Sequence, residues 1–214
     1  MNFKKLSVLF CSLLALTSVM AVSAAETETV SETEAASEEE STASGADEET
    51  EYPITIQHAY GETVIESKPE RIATVGWENQ DTPLALGIAP VGVSAANYGM
   101  VTENNLHPWT DEAFQELGVD APNVFDDVDG LDFEAISDCD PDVILASYSG
   151  LTQEDYDTLS QIAPVIPYKE NAWQTTWRDQ TIENAEGMGM KAEGEAKVAE
   201  VEQLIQDKLA DYPD

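Results

Sequence analysis

Positive charge is what this sequence has least of: 9 Lys and Arg stand against 43 Asp and Glu, a formal net charge of −34 at neutral pH. Such a chain repels polyanions over long range, which excludes nucleic acid and anionic membrane surfaces as partners. Cysteine is equally scarce. Cys11 sits in the N-terminal apolar run and Cys139 stands alone beyond it, leaving no disulfide framework and no paired Cys or His zinc site. Only His58 and His107 are present, so a Ser-His-Asp or Cys-His relay has little material, and both are read as ordinary surface residues. No glycine loop followed by Lys is available to cradle a phosphate. Acidic pairs such as Asp126-Asp127 and Asp138-Asp140 arise from composition alone in so acidic a chain, and carry little weight as a general acid and base.

What is present begins with an export signal over residues 1–25. Lys4 and Lys5 precede the apolar run Leu6 to Val22, and Val22-Ser23-Ala24-Ala25 offers the small residues a signal peptidase cuts. Ser and Thr dilute this run below the roughly 20 strongly apolar residues of a membrane anchor. The bulky Phe10 before Cys11, and the early position of that cysteine, argue against lipid attachment. From Glu26 to Glu51 there are 11 acidic residues and no basic one. A segment that repels itself and has no apolar surface to bury is a disordered tether, and residues 26–53 are assigned to it. The remaining length, about 160 residues, suffices for one domain with a core.

That domain opens with a hairpin, Ile54 to Ala59 and Thr63 to Ile65 around Tyr60-Gly61-Glu62. Short apolar runs then recur at Ile72 to Val75, Val91 to Val93, Asn123 to Phe125, Val143 to Ala146 and Val165 to Tyr168. Helical stretches separate them: Gln80 to Leu86, Asp111 to Leu117 behind Thr110, Phe133 to Cys139 beside Asp132, and a helix to about Ile162 opened by the capping box Thr152-Gln153-Glu154-Asp155. Alternation of this kind predicts an α/β layer fold with a parallel sheet. The tail changes character. Val198, Val201, Leu204, Ile205, Leu209 and Tyr212 form one stripe at helical spacing, which predicts a long amphipathic helix whose stripe must pack on something, in the simplest case the preceding domain.

Ligands of open α/β sheets sit beyond the carboxyl ends of the strands. There the sequence places Trp77, Glu78 and Asn79, then Asn97 and Tyr98, Asp126 and Asp127, Tyr148, Ser149 and Gly150, and Trp173. Rings that pair a broad apolar face with a polar handle suit a large, partly aromatic ligand better than a phosphate or a bare metal ion. Any one of these rings can equally be core packing, so the inference rests on the cluster.

Several motifs resemble the iron-siderophore solute-binding proteins of ABC importers, a class that includes vitamin B12 and haem binders. They are Ile54 to Gly61, Lys68-Pro69-Glu70-Arg71-Ile72, Thr74-Val75-Gly76-Trp77, Ala85 to Val93, Phe133-Glu134-Ala135-Ile136, Asp140 to Ala146, and Ser149 to Thr152 through Leu159 to Pro164. The resemblance implies a parallel-sheet lobe of the helical-backbone periplasmic-binding-protein fold over residues 54–190, with residues 191–214 as the connector helix. It implies a second lobe after Pro213, which this sequence does not contain, so a truncated remnant that transports nothing stays open. It also implies capture of a ferric siderophore outside the cytoplasmic membrane, in the periplasm or at the cell surface, and delivery to an ABC permease by a monomer. Iron would enter only inside the bound complex, with no resident cofactor or metal and no catalysis, and the membrane would be met only through the permease. Trp77, Asn79, Tyr98, Tyr148, Trp173 and Arg178 are the expected ligand contacts, and Glu134 the expected docking carboxylate. A haem or corrinoid ligand is the rival within the class; a secreted hydrolase using an acidic pair is the rival outside it.

Overall fold

A computed structural model describes residues 50–127, 129–210 and 212. The expected export signal, Cys11 and the acidic linker up to residue 49 lie outside them. Strands β1 (Ile54–His58) and β2 (Gly61–Ile65) form an antiparallel hairpin with Ile54 opposite Ile65. Five strands, β3 (Ile72–Thr74), β4 (Gly92–Ser94), β5 (Val124–Phe125), β6 (Val143–Ala146) and β7 (Val165–Pro167), make a parallel sheet in the order β5-β4-β3-β6-β7. Its central strands are buried throughout, which is why they read as continuous apolar runs rather than alternating ones.

Among the described residues there are six helices: α1 (Asp81–Ala85), α2 (Pro108–Glu116), α3 (Phe133–Asp138), α4 (Gln153–Leu159), α5 (Trp177–Gly187) and α6 (Lys191–Ala210). Ile136 of α3 and Leu159 of α4 cover the sheet face formed by Ala73, Ile144 and Val165. Met188, just past α5, and Leu86, just past α1, cover Ile72, Val143, Leu145 and Ile166 on the opposite face. Phe114 of α2 and Leu84 of α1 extend that layer over Val93. The result is the α/β sandwich anticipated from the sequence.

Local chemistry explains most boundaries. Asp132 accepts from the Ala135 amide at 3.0 Å to start α3, and Thr152 and Asp155 close a reciprocal capping box on α4. Helix α2 begins three residues earlier than expected, at Pro108, because proline fits the first helical turn, where its missing N–H leaves nothing unpaired. Helix α5 escaped the sequence reading. Its buried positions are Glu183, Asn184, Ala185 and Gly187, polar or small residues that leave no apolar stripe to detect.

The long α6 behaves as expected only over its first half. Gly194 lets it close on α5, since a Cβ there would lie 2.4 Å from the Ala185 Cβ, and Val198 is buried. Farther on, Leu204, Ile205 and Leu209 are exposed, against the expectation that the whole stripe packs on the domain. The cause is length: 20 residues of helix span about 30 Å, whereas the 11 of α5 span about 16 Å.

Both histidines are also corrected, because they are buried. His58 Nε2 meets Thr63 Oγ1 at 2.9 Å, and Thr63 Oγ1 donates to the Val165 carbonyl at 2.7 Å, which pins the hairpin to the edge of the sheet. His107 lies under Trp77.

Asn79 is the main correction among the expected ligand contacts. It is fully buried, so it has no surface to offer a ligand. Its Nδ2 donates to the carbonyls of Val75 (2.8 Å) and Tyr148 (3.0 Å). Its Oδ1 accepts from the Tyr148 amide at 3.1 Å, from Asn184 Nδ2 at 3.0 Å and from Ser147 Oγ at 3.3 Å. One amide therefore ties the ends of β3 and β6 to α5.

Two acids, Glu183 buried and Asp81 half-buried, belong to the same layer. Burial pushes Glu183 up to about 7, with Lys169 at 3.5 Å opposing it. Burial, then a hydrogen bond and the charge of Glu78, pushes Asp81 up to about 8. Both hold protons in the folded chain that the unfolded chain has already released above about pH 4 to 5.

Asn79→Ala is expected to destabilise the domain by about 1–3 kcal/mol, read as a lowered urea midpoint, because the carbonyls of Val75 and Tyr148 lose a buried donor. The stability contributed by Glu183 and Asp81 is fully present at about pH 4 and lost as pH rises through 7 to 8. Glu183→Gln should accordingly flatten the decline of Tm measured between about pH 5 and pH 8.5.

Candidate ligand-binding cleft

The strand order reverses between β3 and β6: from β3 the chain winds through β4 to β5, then crosses back to β6 and on to β7. Loops leaving two neighbouring strands in opposite directions open a crevice at their carboxyl ends. A cavity of about 260 Å³ occupies this place. It is lined by Gly76 and Trp77 after β3, Asn97 after β4, Asp127 after β5, Ser149, Gly150 and Leu151 after β6, and Trp173 after β7.

Two glycines make this convergence possible. Gly76 has φ +84°, and a Cβ there would sit 2.8 Å from the Ser149 Cβ and 2.9 Å from the Tyr148 carbonyl oxygen. Only glycine combines that backbone with that approach. At Gly150 a Cβ would come within 2.5 Å of Trp173 Nε1, so the bare backbone is the shelf on which the indole lies. Trp173 itself has φ +60°, and its amide donates to the Ser149 carbonyl at 3.1 Å.

Trp77 is held from both sides. Its amide donates to the Tyr148 carbonyl at 3.1 Å, and its carbonyl accepts from Gln180 Nε2 at 3.0 Å. The ring meets His107 edge-on at 5.8 Å, and His107 stacks on Trp109 at 4.5 Å. Glu78 Oε1 lies 3.3 Å from His107 Nε2, which braces the turn beneath the indole.

The remaining expected contacts divide. Tyr148 packs edge-on against Trp173 at 5.4 Å, beside the cavity rather than among its lining residues. Tyr98 is 77% exposed on the loop after β4 and also lies outside the lining. Arg178 is elsewhere: its guanidinium stacks over the Trp177 ring at 4.4 Å and is paired with Glu202 of α6, so helix pairing, not the cleft, accounts for its position. Glu134 is exposed in the first turn of α3, where a carboxylate also complements the helix dipole.

The sequence reading missed Leu131, Leu151 and Asp155 as cleft residues. Single leucines in loops carry no sequence signal for a ligand site, and Asp155 reads as a helix cap, which it also is: its Oδ2 accepts from the Thr152 amide at 2.9 Å. Burial pushes the Asp127 carboxyl up, while the Ser94 hydroxyl, donating to its Oδ2 at 2.6 Å, opposes the shift. Among the described residues no group of three His, Cys, Asp or Glu side chains is arranged to hold a metal ion. The cleft therefore offers two indoles, an amide and two carboxylates, a surface for binding a bulky molecule by stacking and hydrogen bonds.

Comparison with known proteins agrees with this architecture. The Streptococcus pneumoniae protein PiaA, solved in complex with ferrichrome, is 51% identical with a TM-score of 0.72, over 75% of this chain and 52% of that one. Staphylococcus aureus SirA, solved with staphyloferrin B, is 26% identical with a TM-score of 0.58, over 75% of this chain and 52% of that one. The Fe(3+)-citrate-binding protein YfmC of Bacillus subtilis is 27% identical over 178 residues, 81% of this chain and 51% of that protein. The chain thus spans about half the length of the relatives it matches. The family model described as periplasmic binding protein matches residues 72–211, and the chain belongs to that family.

Proposed function

We propose that this chain supplies one jaw of an extracytoplasmic binding protein that captures a ferric siderophore and hands it to an ABC permease, without making or breaking a bond. The observation that carries the reading is the pair of indoles, Trp77 and Trp173, lining one cavity at the switch point of the sheet. A ferric siderophore is a compact, bulky complex that combines flat chelate faces with polar edges, and flat rings flanked by a few hydrogen-bonding groups match it. PiaA, half identical to this chain, holds ferrichrome, and YfmC is a Fe(3+)-citrate-binding protein. Glu134 is proposed as a docking carboxylate for a basic residue of the permease: it is exposed on α3 and is not among the residues lining the cleft. Residues 1–25 as export signal and 26–53 as tether belong to the same proposal, corrected at the tether's end, where Thr50 donates to the Gly189 carbonyl at 2.7 Å and Tyr52 packs on the core.

Quenching of tryptophan fluorescence by ferrichrome, haem and cobalamin, titrated separately, distinguishes the readings. Ferrichrome should quench most effectively; a response to haem or cobalamin alone would replace the siderophore. Trp77→Ala and Trp173→Ala should each weaken binding by roughly tenfold. Gly150→Ala, which drives a methyl group into the Trp173 indole, should do the same without removing a ring. Glu134→Arg is expected to reduce uptake by cells while leaving the quenching titration unchanged; equal loss of both would remove the docking role.

A further inference from the structure

The charge lining the cleft goes beyond this reading and narrows it. Asp127 and Asp155 are its two ionisable lining residues, and none of the described lining residues is Lys, Arg or His. Five of the seven described cations are engaged elsewhere. Lys169 pairs with Glu183, Arg178 with Glu202, Lys191 with Glu186 and Lys197 with Glu200. Arg71 donates to the carbonyls of Cys139 and Asp140 at the opposite, amino end of the strands.

Asp127 is also fixed in place. Ser94 Oγ donates to its Oδ2 at 2.6 Å and in turn accepts from the Gly76 amide at 3.2 Å. The carboxylate is thereby tied to the ends of β4 and β3. An immobile negative charge in a concave wall acts on every complex that enters, because field lines concentrate there and less solvent screens it.

We propose that Asp127 is a specificity-determining residue that makes this cleft select ferric complexes of zero or positive net charge and reject anionic ones. The proposal rests on the ferric-siderophore reading above. The chemistry of the candidates is simple. Three hydroxamates neutralise Fe(3+), and their backbone amide or ammonium groups can donate to Asp127. Three catecholates leave an excess charge of 3−, and citrate complexes are likewise anionic, so both place negative charge against Asp127. Specificity then comes from repulsion of the wrong class as much as from contacts to the right one.

The test is fluorescence quenching of the full chain by ferrichrome, a neutral trihydroxamate, against ferric citrate and a ferric tricatecholate. The native chain should prefer ferrichrome by at least roughly tenfold at low salt. Asp127→Asn keeps the shape and the bond from Ser94, and should reduce that preference by roughly tenfold, mainly by admitting the anionic complexes. Raising the native chain to ~0.5 M salt should shrink the preference in the same direction, and this arm decides the matter if the variant fails to fold by circular dichroism. A native chain that binds the anionic complexes as tightly as ferrichrome, or a folded Asp127→Asn with the preference intact, overturns the charge filter and leaves the siderophore reading standing. Absence of quenching by all three complexes removes both.

Discussion

Everything at the ligand-facing edge of this domain depends on one buried amide. A parallel sheet ends in loops that diverge at its switch point, and nothing in strand pairing forces those loops to face each other again. Asn79 does so by donating to the carbonyls of Val75 and Tyr148 while accepting from the backbone of Tyr148 and the side chains of Ser147 and Asn184. Backbone groups at strand ends have lost their ladder partners and would be costly to bury unpaired. Three of these contacts satisfy such groups, and the one from Asn184, joined by Gln180 Nε2 at 3.3 Å, holds α5, whose buried face is too polar to dock by apolar burial alone.

With that clamp in place, the cleft is built from things left out as much as from things put in. Gly76 and Gly150 withhold a Cβ where the β6 loop and the Trp173 indole come closest, and the two indoles gain a flat, rigid seat. Rigid aromatic surfaces lose little conformational freedom on binding, which favours them over long aliphatic chains for gripping a bulky ligand. The absence of cations among the described lining residues is the electrostatic counterpart. In a chain with 43 acidic and 9 basic residues, five of the described cations are held in intramolecular contacts, and the cleft lining carries the surplus of negative charge.

The sheet and the distal helix differ in how completely they are covered. Both sheet faces are sealed by helices, whereas α6 packs closely on α5 around Gly194 and Val198, is tied to it by the Lys191–Glu186 and Arg178–Glu202 pairs, and carries Leu204, Ile205 and Leu209 exposed beyond them. An apolar stripe on a straight helix cannot follow a shorter neighbour, so helix length sets where its coverage ends.

Much of the scaffold was legible in the amino-acid sequence because it obeys local rules. Doubly buried strands appear as apolar runs, Asp132 and Thr152 announce their helices through capping chemistry, and alternation of the two element types implies a parallel sheet. The rim was legible as a set of residues at strand ends, and Trp77 and Trp173 do line a common cavity. What the sequence could not decide is which way each polar or charged side chain turns, since that depends on partners distant along the chain. Asn79 is adjacent to the rim but points into the core toward Asn184; Arg178 follows Trp173 by five residues but is taken by Glu202; His58 and His107, polar and few, are sealed beneath aromatic rings. Periodicity and capping are properties of neighbouring residues, so the chain determined its own elements. The hydrogen-bond and ion-pair partners of its isolated polar groups come from other elements, so tertiary structure alone decided which residues face the ligand and which hold the walls together.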